Sequence, residues 1–416
     1  MAAESSVVFP KLRCAPFHSA LEADPIGSGA SYDAYLCVEI PLPWKRDISG
    51  NEPFRALFEE AKSMSARPFE SGSGLKPGSI RLGPATSGSG SGSAAIRPGS
   101  ATSGSGSGSG SVNPVPAKSG PAKAGSAFVS GADGRKWRPQ GLVPSEGRDG
   151  LVQVIAFEQP GRGRTGMSGA SFDRREWLVP TDRVFELCLA LLRSDDEALD
   201  GLAADEVATS ASASAEGRGP VELFVCTHGQ RDICCGGSGT VLHTQLVDLL
   251  DLEADMPAGA RASGYELSVR RVSHTGGHRF APTALTFPDG YAWSHLDARL
   301  ALGVARRSIE VSEVMGHVRG STLFKGGPAQ MADRYGLGVV GWDWLDAHRS
   351  VELIGFDRRT MATDVRVNAE MPNGEEHCFE LRVGIERHIP QITCGAIDSP
   401  EYKVEPVWRV EEARSL

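Results

Sequence analysis

Apolar residues along the 416-residue chain fall into short runs that predict strands, separated by longer periodic stretches that predict helices. Tyr32 to Ile40 reads as a strand, stopped by Pro41, Pro43 and Trp44. Beyond it, Phe54, Leu57, Phe58, Ala61 and Met64 share one face of a short amphipathic helix. Leu151-Val-Gln-Val-Ile-Ala-Phe157 is a strongly apolar strand, with another near Trp177 to Val179. Thr181 is placed to cap the next helix, which turns Val184, Leu187, Cys188, Leu191 and Leu192 inward. A second unit opens with the strand Val221 to Val225. A helix with Leu242, Leu246, Leu249 and Leu250 on one face follows, then the alternating strand Tyr265-Glu-Leu267-Ser-Val269. A hairpin then joins Ala284–Phe287 to Tyr291–Trp293 across Pro288-Asp289-Gly290. Residues 297–348 read as mainly helical, with Gly326-Gly327-Pro328 starting one helix. In the last stretch Val365 and Val367 alternate, Asn373-Gly374 supplies a hairpin turn, and Leu381 and Val383 alternate on the return.

Composition divides these elements. From about Arg67 to Gly134 the chain is largely Ser, Gly, Ala and Pro, with Ser-Gly repeats through 87–111. Such a tract buries too little apolar surface to offset its ordering entropy, which predicts a disordered insertion over 67–135. Residues 194–219, acidic and then Ala/Ser-rich, read as a linker. The net charge of −9 leaves no basic footprint for nucleic acid, and the pairs Arg270-Arg271 and Arg306-Arg307 are expected on solvated faces. No apolar run has the length of a membrane span, and the N-terminus lacks a charged-then-apolar signal pattern. A cytoplasmic protein is expected. Eight cysteines without dense regular spacing suit a reducing compartment.

Candidate chemistry gathers between Cys226 and His278. After the strand at 221–225 comes Cys226-Thr-His228-Gly229-Gln-Arg231-Asp232-Ile-Cys234-Cys235-Gly236-Gly237, and after the strand at 265–269 comes His274-Thr-Gly276-Gly277-His278. Two thiols and two imidazoles leaving strand ends make a four-ligand set of the kind that suits zinc or an iron–sulfur cluster. Eight residues separate Cys226 from Cys235 and thirty-eight separate Cys235 from His274, so only the His-x₃-His step agrees with a zinc finger. Spacing alone does not choose between Cys234 and Cys235, although adjacent side chains point apart and both are not expected on one metal. The loop glycines Gly229, Gly236, Gly237, Gly276 and Gly277 permit unusual backbone angles. His228 is expected to close the turn or to donate near the metal. Arg231 and Asp232 are expected to pair, with Arg231 a cation that stabilises added electron charge. His295 reads as ordinary surface, and Cys14, Cys37, Cys188, Cys378 and Cys394 read as packing.

These two motifs resemble those of the sucrase/ferredoxin-like family of thioredoxin-fold proteins, C-x-H-G-x-R-D-x-x-C-G followed by H-x-G-G-H. The pattern falls on Cys226, His228, Gly229, Arg231, Asp232, Cys235 and Gly236, then on His274, Gly276, Gly277 and His278. The resemblance implies a 2Fe–2S cluster held by Cys226, Cys235, His274 and His278, and it selects Cys235 over Cys234. It points to an α/β (α+β) fold: a thioredoxin-like cluster domain over 220–300 beside a degenerate thioredoxin-like half formed by 1–66 and 136–193. The helical segment 301–350 and the β-rich segment 351–416 complete the expected organisation. Strand, helix, strand, hairpin is the core order of such a unit, and parallel first strands would bring both ligand loops to one end of the sheet.

The implied function is electron transfer between a donor and an acceptor protein that the sequence does not name, without a membrane or nucleic acid. Two imidazoles in place of thiolates remove negative charge and leave an outer ring nitrogen that links electron to proton. Zinc in a structural or interaction role is the alternative metal. Thiol–disulfide chemistry is the alternative reaction, invited by Cys234-Cys235, but no C-x-x-C opens a helix. A stand-alone enzyme is not expected, and no G-x-S-x-G elbow nominates a hydrolase.

Overall fold

The computed structural model describes residues 13–66, 128–160, 167–169, 171–207, 220–255, 267–394 and 403–416. Most of the expected Gly/Ser insertion (67–127) and residues 208–219 of the expected linker lie outside the described residues. In chain order the elements are α1 (Cys14–Ala20), β1 (Ala34–Glu39), α2 (Phe54–Ala66), β2 (Val129–Ser130), β3 (Lys136–Leu142), β4 (Leu151–Glu158), β5 (Met167–Gly169), β6 (Asp173–Pro180), α3 (Val184–Arg193) and α4 (Asp196–Asp200). There follow β7 (Val221–Cys226), α5 (Thr240–Ala254), β8 (Leu267–Val272), β9 (Thr283–Phe287), β10 (Tyr291–Ser294), α6 (Ala298–Arg306), α7 (Val311–Val314), β11 (Val318–Ser321) and α8 (Gly327–Val340). The chain closes with β12 (His348–Asp357), β13 (Ala362–Glu370), β14 (Glu376–Gln391) and β15 (Lys403–Ser415).

A large mixed sheet runs β11-β10-β9-β7-β8-β3-β1-β4-β6, with β2 added on β3. Inside it one connectivity occurs twice. β3-β1-β4-β6 and β8-β7-β9-β10 each have a parallel first pair and antiparallel remaining pairs. The halves meet edge to edge where β3 runs antiparallel to β8, at Leu142 and Val272. Because β7 and β8 are parallel, the Cys loop and the His loop leave the same end of the sheet.

Alternation on the central strands sorts side chains between two cores. On β1, Tyr35 and Cys37 join the core shared with the second half, while Ala34, Leu36 and Val38 pack with Phe54, Leu57 and Leu187 on the other face. A second sheet, β15-β14-β13-β12-β5, is antiparallel throughout. Its Val365, Val367, Leu381 and Val383 share the larger core with Ala329, Ala332 and Leu337 of α8. The fully buried Arg349 donates to Asp333 at 2.8 Å, and Trp344 donates to the same carboxylate at 3.0 Å, so this ion pair is hydrogen-bonded on several sides.

Several expectations need correction. Thr181 does not cap α3; its hydroxyl donates to Gly150 O at 3.3 Å, and α3 begins at Val184 without a side-chain cap. Leu249 is exposed, so the buried face of α5 rests on Leu242 and Leu246. The start of the expected linker is folded: α4 forms there, and Leu199 and Leu202 are buried. The short strand β11 extends the large sheet inside the segment read as helical. Arg270, Arg306 and Arg307 are engaged in ion pairs with Glu222, Glu253 and Asp346 instead of lying on solvated faces. Gly336, Gly338 and Gly341 spell G-x-G-x-x-G, but they end α8 and form no strand-to-helix phosphate turn.

Candidate metal centre

The apolar strand β7 ends at Cys226, whose thiol is fully buried, and the chain then doubles back through the Cys loop into a π-helical turn at Cys235–Gly239. That turn sits directly on the strand end: a Cβ at Gly239 would lie 1.9 Å from Cys226 O. Only glycine allows this approach. It brings Cys235 to Cys226, and β8 delivers His274 to the same point. One donor atom from each of Cys226, Cys235 and His274 lies within 4.8 Å of the others, and all three residues are buried. Cys234 turns to the opposite side.

Charge in this group is unevenly held. The hydrogen bond from Cys235, then that with His274, hold the Cys226 thiol well below its usual value. The same bond and burial push Cys235 well above it. Burial lowers His274 to about 4. Its Nδ1 is buried without a hydrogen-bond partner, an orphaned polar atom of the kind a bound metal would satisfy.

His278 stands apart from that trio. Its ring centroid is 5.8 Å from that of His274, and its Nδ1 lies 3.1 Å from Asp232 Oδ2 and 3.3 Å from Cys14 Sγ. With a carboxylate as acceptor, Nδ1 carries the proton and leaves Nε2 as the free nitrogen. Asp232 is therefore paired with His278 and not, as expected, with Arg231. Burial raises the Asp232 carboxyl, but the His278 bond and the Cys234 amide outweigh it, so its pKa is lowered.

The cation beside the thiols is Arg319 of β11, which the sequence reading missed. It is fully buried, its guanidinium would lie 2.4 Å from a Cβ on Gly277, and its Nη1 has no hydrogen-bond partner. Burial lowers it to about 10 while Cys235 and Cys226 pull it back up, so it stays charged at neutral pH. A lone arginine in the short run Val318-Arg319-Gly320-Ser321 was the available signal. Of the loop glycines, only Gly276 and Gly277 take positive φ; Gly236 instead permits close approach, since its Cβ would meet Gly229 Cα at 2.4 Å.

Both loops are held from the N-terminal half. His228 Nδ1 accepts the His274 amide at 3.2 Å, which puts its proton on Nε2, donated to Lys45 O at 3.0 Å. Trp44 meets the same ring edge-on at 5.4 Å. Arg138 donates to His274 O, Gln140 to Ser273 O at 2.6 Å, and the Gly141 amide to Ser273 Oγ at 2.9 Å. His295 is half-buried rather than ordinary surface, edge-on to Phe280 at 5.8 Å, and burial lowers it to about 4.

A second cysteine group lies on the other side of the Cys loop. Cys14, Cys234 and Cys394 converge on Asp232, so neither Cys14 nor Cys394 is simple packing. All eight cysteines are free thiols.

The sucrase/ferredoxin-like family model matches residues 25–320, a span covering both halves of the large sheet but neither Cys14 nor Cys394. No curated protein and no solved structure matches the chain.

Proposed function

The chain belongs to the sucrase/ferredoxin-like family, and from that premise we propose that it is an electron-transfer protein holding one 2Fe–2S cluster between Cys226, Cys235, His274 and His278. The observation that carries this reading is the buried Cys226–Cys235–His274 trio with an unsatisfied ring nitrogen and a buried arginine beside it. Such a cluster, when bound, accepts and returns one electron. Cys226 and Cys235 would supply thiolates, His274 one ring nitrogen, and His278 its Nε2. Arg319 offers a fixed positive charge where negative charge grows. Asp232 orients His278 by holding the Nδ1 proton, the outer-shell role that carboxylates take on metal-bound histidines. His228 and Arg138 fix the backbone of His274 from its amide and carbonyl sides. Eight free thiols suit a reducing, cytoplasmic setting. Among the described residues no helix is long and apolar enough to cross a membrane.

Cys234 and Cys235 face opposite ways, which disfavours the thiol–disulfide alternative for that pair. Zinc at the trio remains the competing metal, and the test separates the two. Protein purified without oxygen should contain about two irons and two sulfides per chain and give an EPR signal only after one-electron reduction. Zinc without iron or sulfide would overturn the cluster. A potential that falls with rising pH, approaching about 59 mV per unit, would mark transfer of one proton with the electron.

A further inference from the structure

The thiols of Cys14, Cys234 and Cys394 come from the start of α1, the Cys loop and the segment after β14. Their sulfurs stand 3.7 Å apart for Cys14–Cys234, 3.4 Å for Cys14–Cys394 and 3.4 Å for Cys234–Cys394. A disulfide would need about 2.05 Å and would leave the third thiol over. Plain packing explains the group poorly. Cys14 Sγ also lies 3.8 Å from Asp232 Oδ1 and 3.7 Å from Cys234 Sγ, so its one S–H proton faces two acceptors in a buried site, with the His278 Nδ1–H 3.3 Å away. A cation among the sulfurs would satisfy all of them at once.

The spacing fits a particular cation. A tetrahedral ion with metal–sulfur bonds of about 2.3 Å has sulfur–sulfur edges of about 3.8 Å, close to the triangle observed here. A fourth donor is already in place: a carboxylate oxygen of Asp232 lies within 4.8 Å of each of the three thiol sulfurs. We propose that Cys14, Cys234, Cys394 and Asp232 bind one zinc ion at a site separate from the Cys226–Cys235–His274 group.

The surrounding structure is built to present this set. The Cys14 amide donates to Cys394 Sγ at 3.3 Å and the Cys234 amide to Asp232 Oδ1 at 2.8 Å, which orients two donors through backbone contacts. His18, buried in α1, places Nδ1 2.8 Å from Cys14 O and Nε2 3.0 Å from Pro390 O, bridging α1 to the end of β14. The adjacent cysteines thereby divide, Cys235 facing one group and Cys234 the other. Zinc is redox-inert, so its part here is structural: it ties residues 14 and 394, near opposite ends of the chain, onto the Cys loop. Binding releases thiol protons and opposes unfolding by mass action.

The test needs no assumption about iron. The full chain is freed of metal by chelation under anaerobic conditions, Zn²⁺ is added, and alkylation of each cysteine is followed by peptide mass spectrometry. Zn²⁺ is expected to slow alkylation of Cys14, Cys234 and Cys394 together by at least tenfold. It should do so equally in Cys226→Ala and lose the effect in Cys14→Ser and in Cys394→Ser. Co²⁺ in place of Zn²⁺ should give the visible bands of a tetrahedral thiolate site, absent from the same two serine variants. Unchanged alkylation of the three thiols in the wild-type chain would overturn the proposal, even if the variants failed to fold. Protection of Cys394 that survives Cys14→Ser, or is lost in folded Cys226→Ala, would overturn it equally.

Discussion

The two halves of the large sheet share a connectivity and differ in what stands at the strand ends. Where β7 runs into Cys226-Thr-His228, β1 runs into Ile40-Pro41-Leu-Pro43-Trp44; where β8 runs into Ser273-His274, β3 runs into Val143-Pro144. The N-terminal half offers no thiol or imidazole at either end. It offers instead the groups that fix the other half's loops: Trp44 and Lys45 O on His228, and Arg138, Gln140 and Gly141 on Ser273 and His274. Loops rich in glycine pay heavily in conformational entropy when ordered. A second unit joined at the sheet edge, with its own polar groups reaching across, lowers that cost. One half supplies donors and its counterpart supplies their positions.

The strongest way to break this comparison is to remove thiols from the half that carries the Cys and His loops. Cys226→Ala and Cys235→Ala are each expected to abolish bound iron, while Cys234→Ala keeps it, as read by iron and sulfide assay. Iron retained in Cys235→Ala and lost in Cys234→Ala would reverse the assignment. Next in size is a change in the supporting half alone. Arg138→Ala removes a charge-assisted bond to His274 O, worth about 1.5–3 kcal/mol. It should leave the thiols intact yet lower iron occupancy and shorten the lifetime of the centre against a chelator; unchanged occupancy and lifetime would make the N-terminal half a bystander.

A finer effect concerns the buried cation. Arg319→Met should lower the midpoint potential and Arg319→Lys should largely restore it, measured by protein-film voltammetry. Loss of about 1.4 kcal/mol of charge stabilisation would appear as about 59 mV for one electron. A potential unmoved in folded Arg319→Met would place the charge too far away to matter. The smallest effect separates the halves by acid sensitivity. No histidine occurs between residues 34 and 200, whereas burial lowers His228, His243, His274 and His295, the last two to about 4. A histidine with a depressed folded-state pKa stabilises fully above its unfolded value of about 6.5, and loses that contribution as pH falls toward the folded value. In metal-free protein the half that carries the Cys and His loops should therefore lose hydrogen-exchange protection first as pH drops from about 6.5 toward 4. Simultaneous loss in both halves would show that the shared sheet unfolds as one unit.

Part of this was legible in the sequence and part was not, for physical reasons. The hairpins at 288–290 and 373–374 carry turn residues between alternating runs, and both form. Cys226, Cys235 and His274 follow apolar strands that proved parallel, so local pattern was enough to bring them together. β3 escaped notice because Pro139 sits in its middle, which argues against a central strand. It is tolerated where β3 has a ladder of one residue pair with β8. Cys14 and Cys394 meet Cys234 across 220 and 160 residues of chain, a separation no local spacing rule spans. Arg319 and the Asp232–His278 pair likewise depend on where β11 and the His loop dock.

Whether two imidazoles join two thiolates at the centre is the claim on which the rest depends. Pulsed EPR of the reduced protein, prepared with ¹⁵N-labelled histidine, reads it directly. The expected result is two strongly coupled histidine nitrogens, one of them absent in His274→Cys and the other in His278→Cys. A reduced centre with no coupled histidine nitrogen, or with coupling unchanged in both variants, would contradict it.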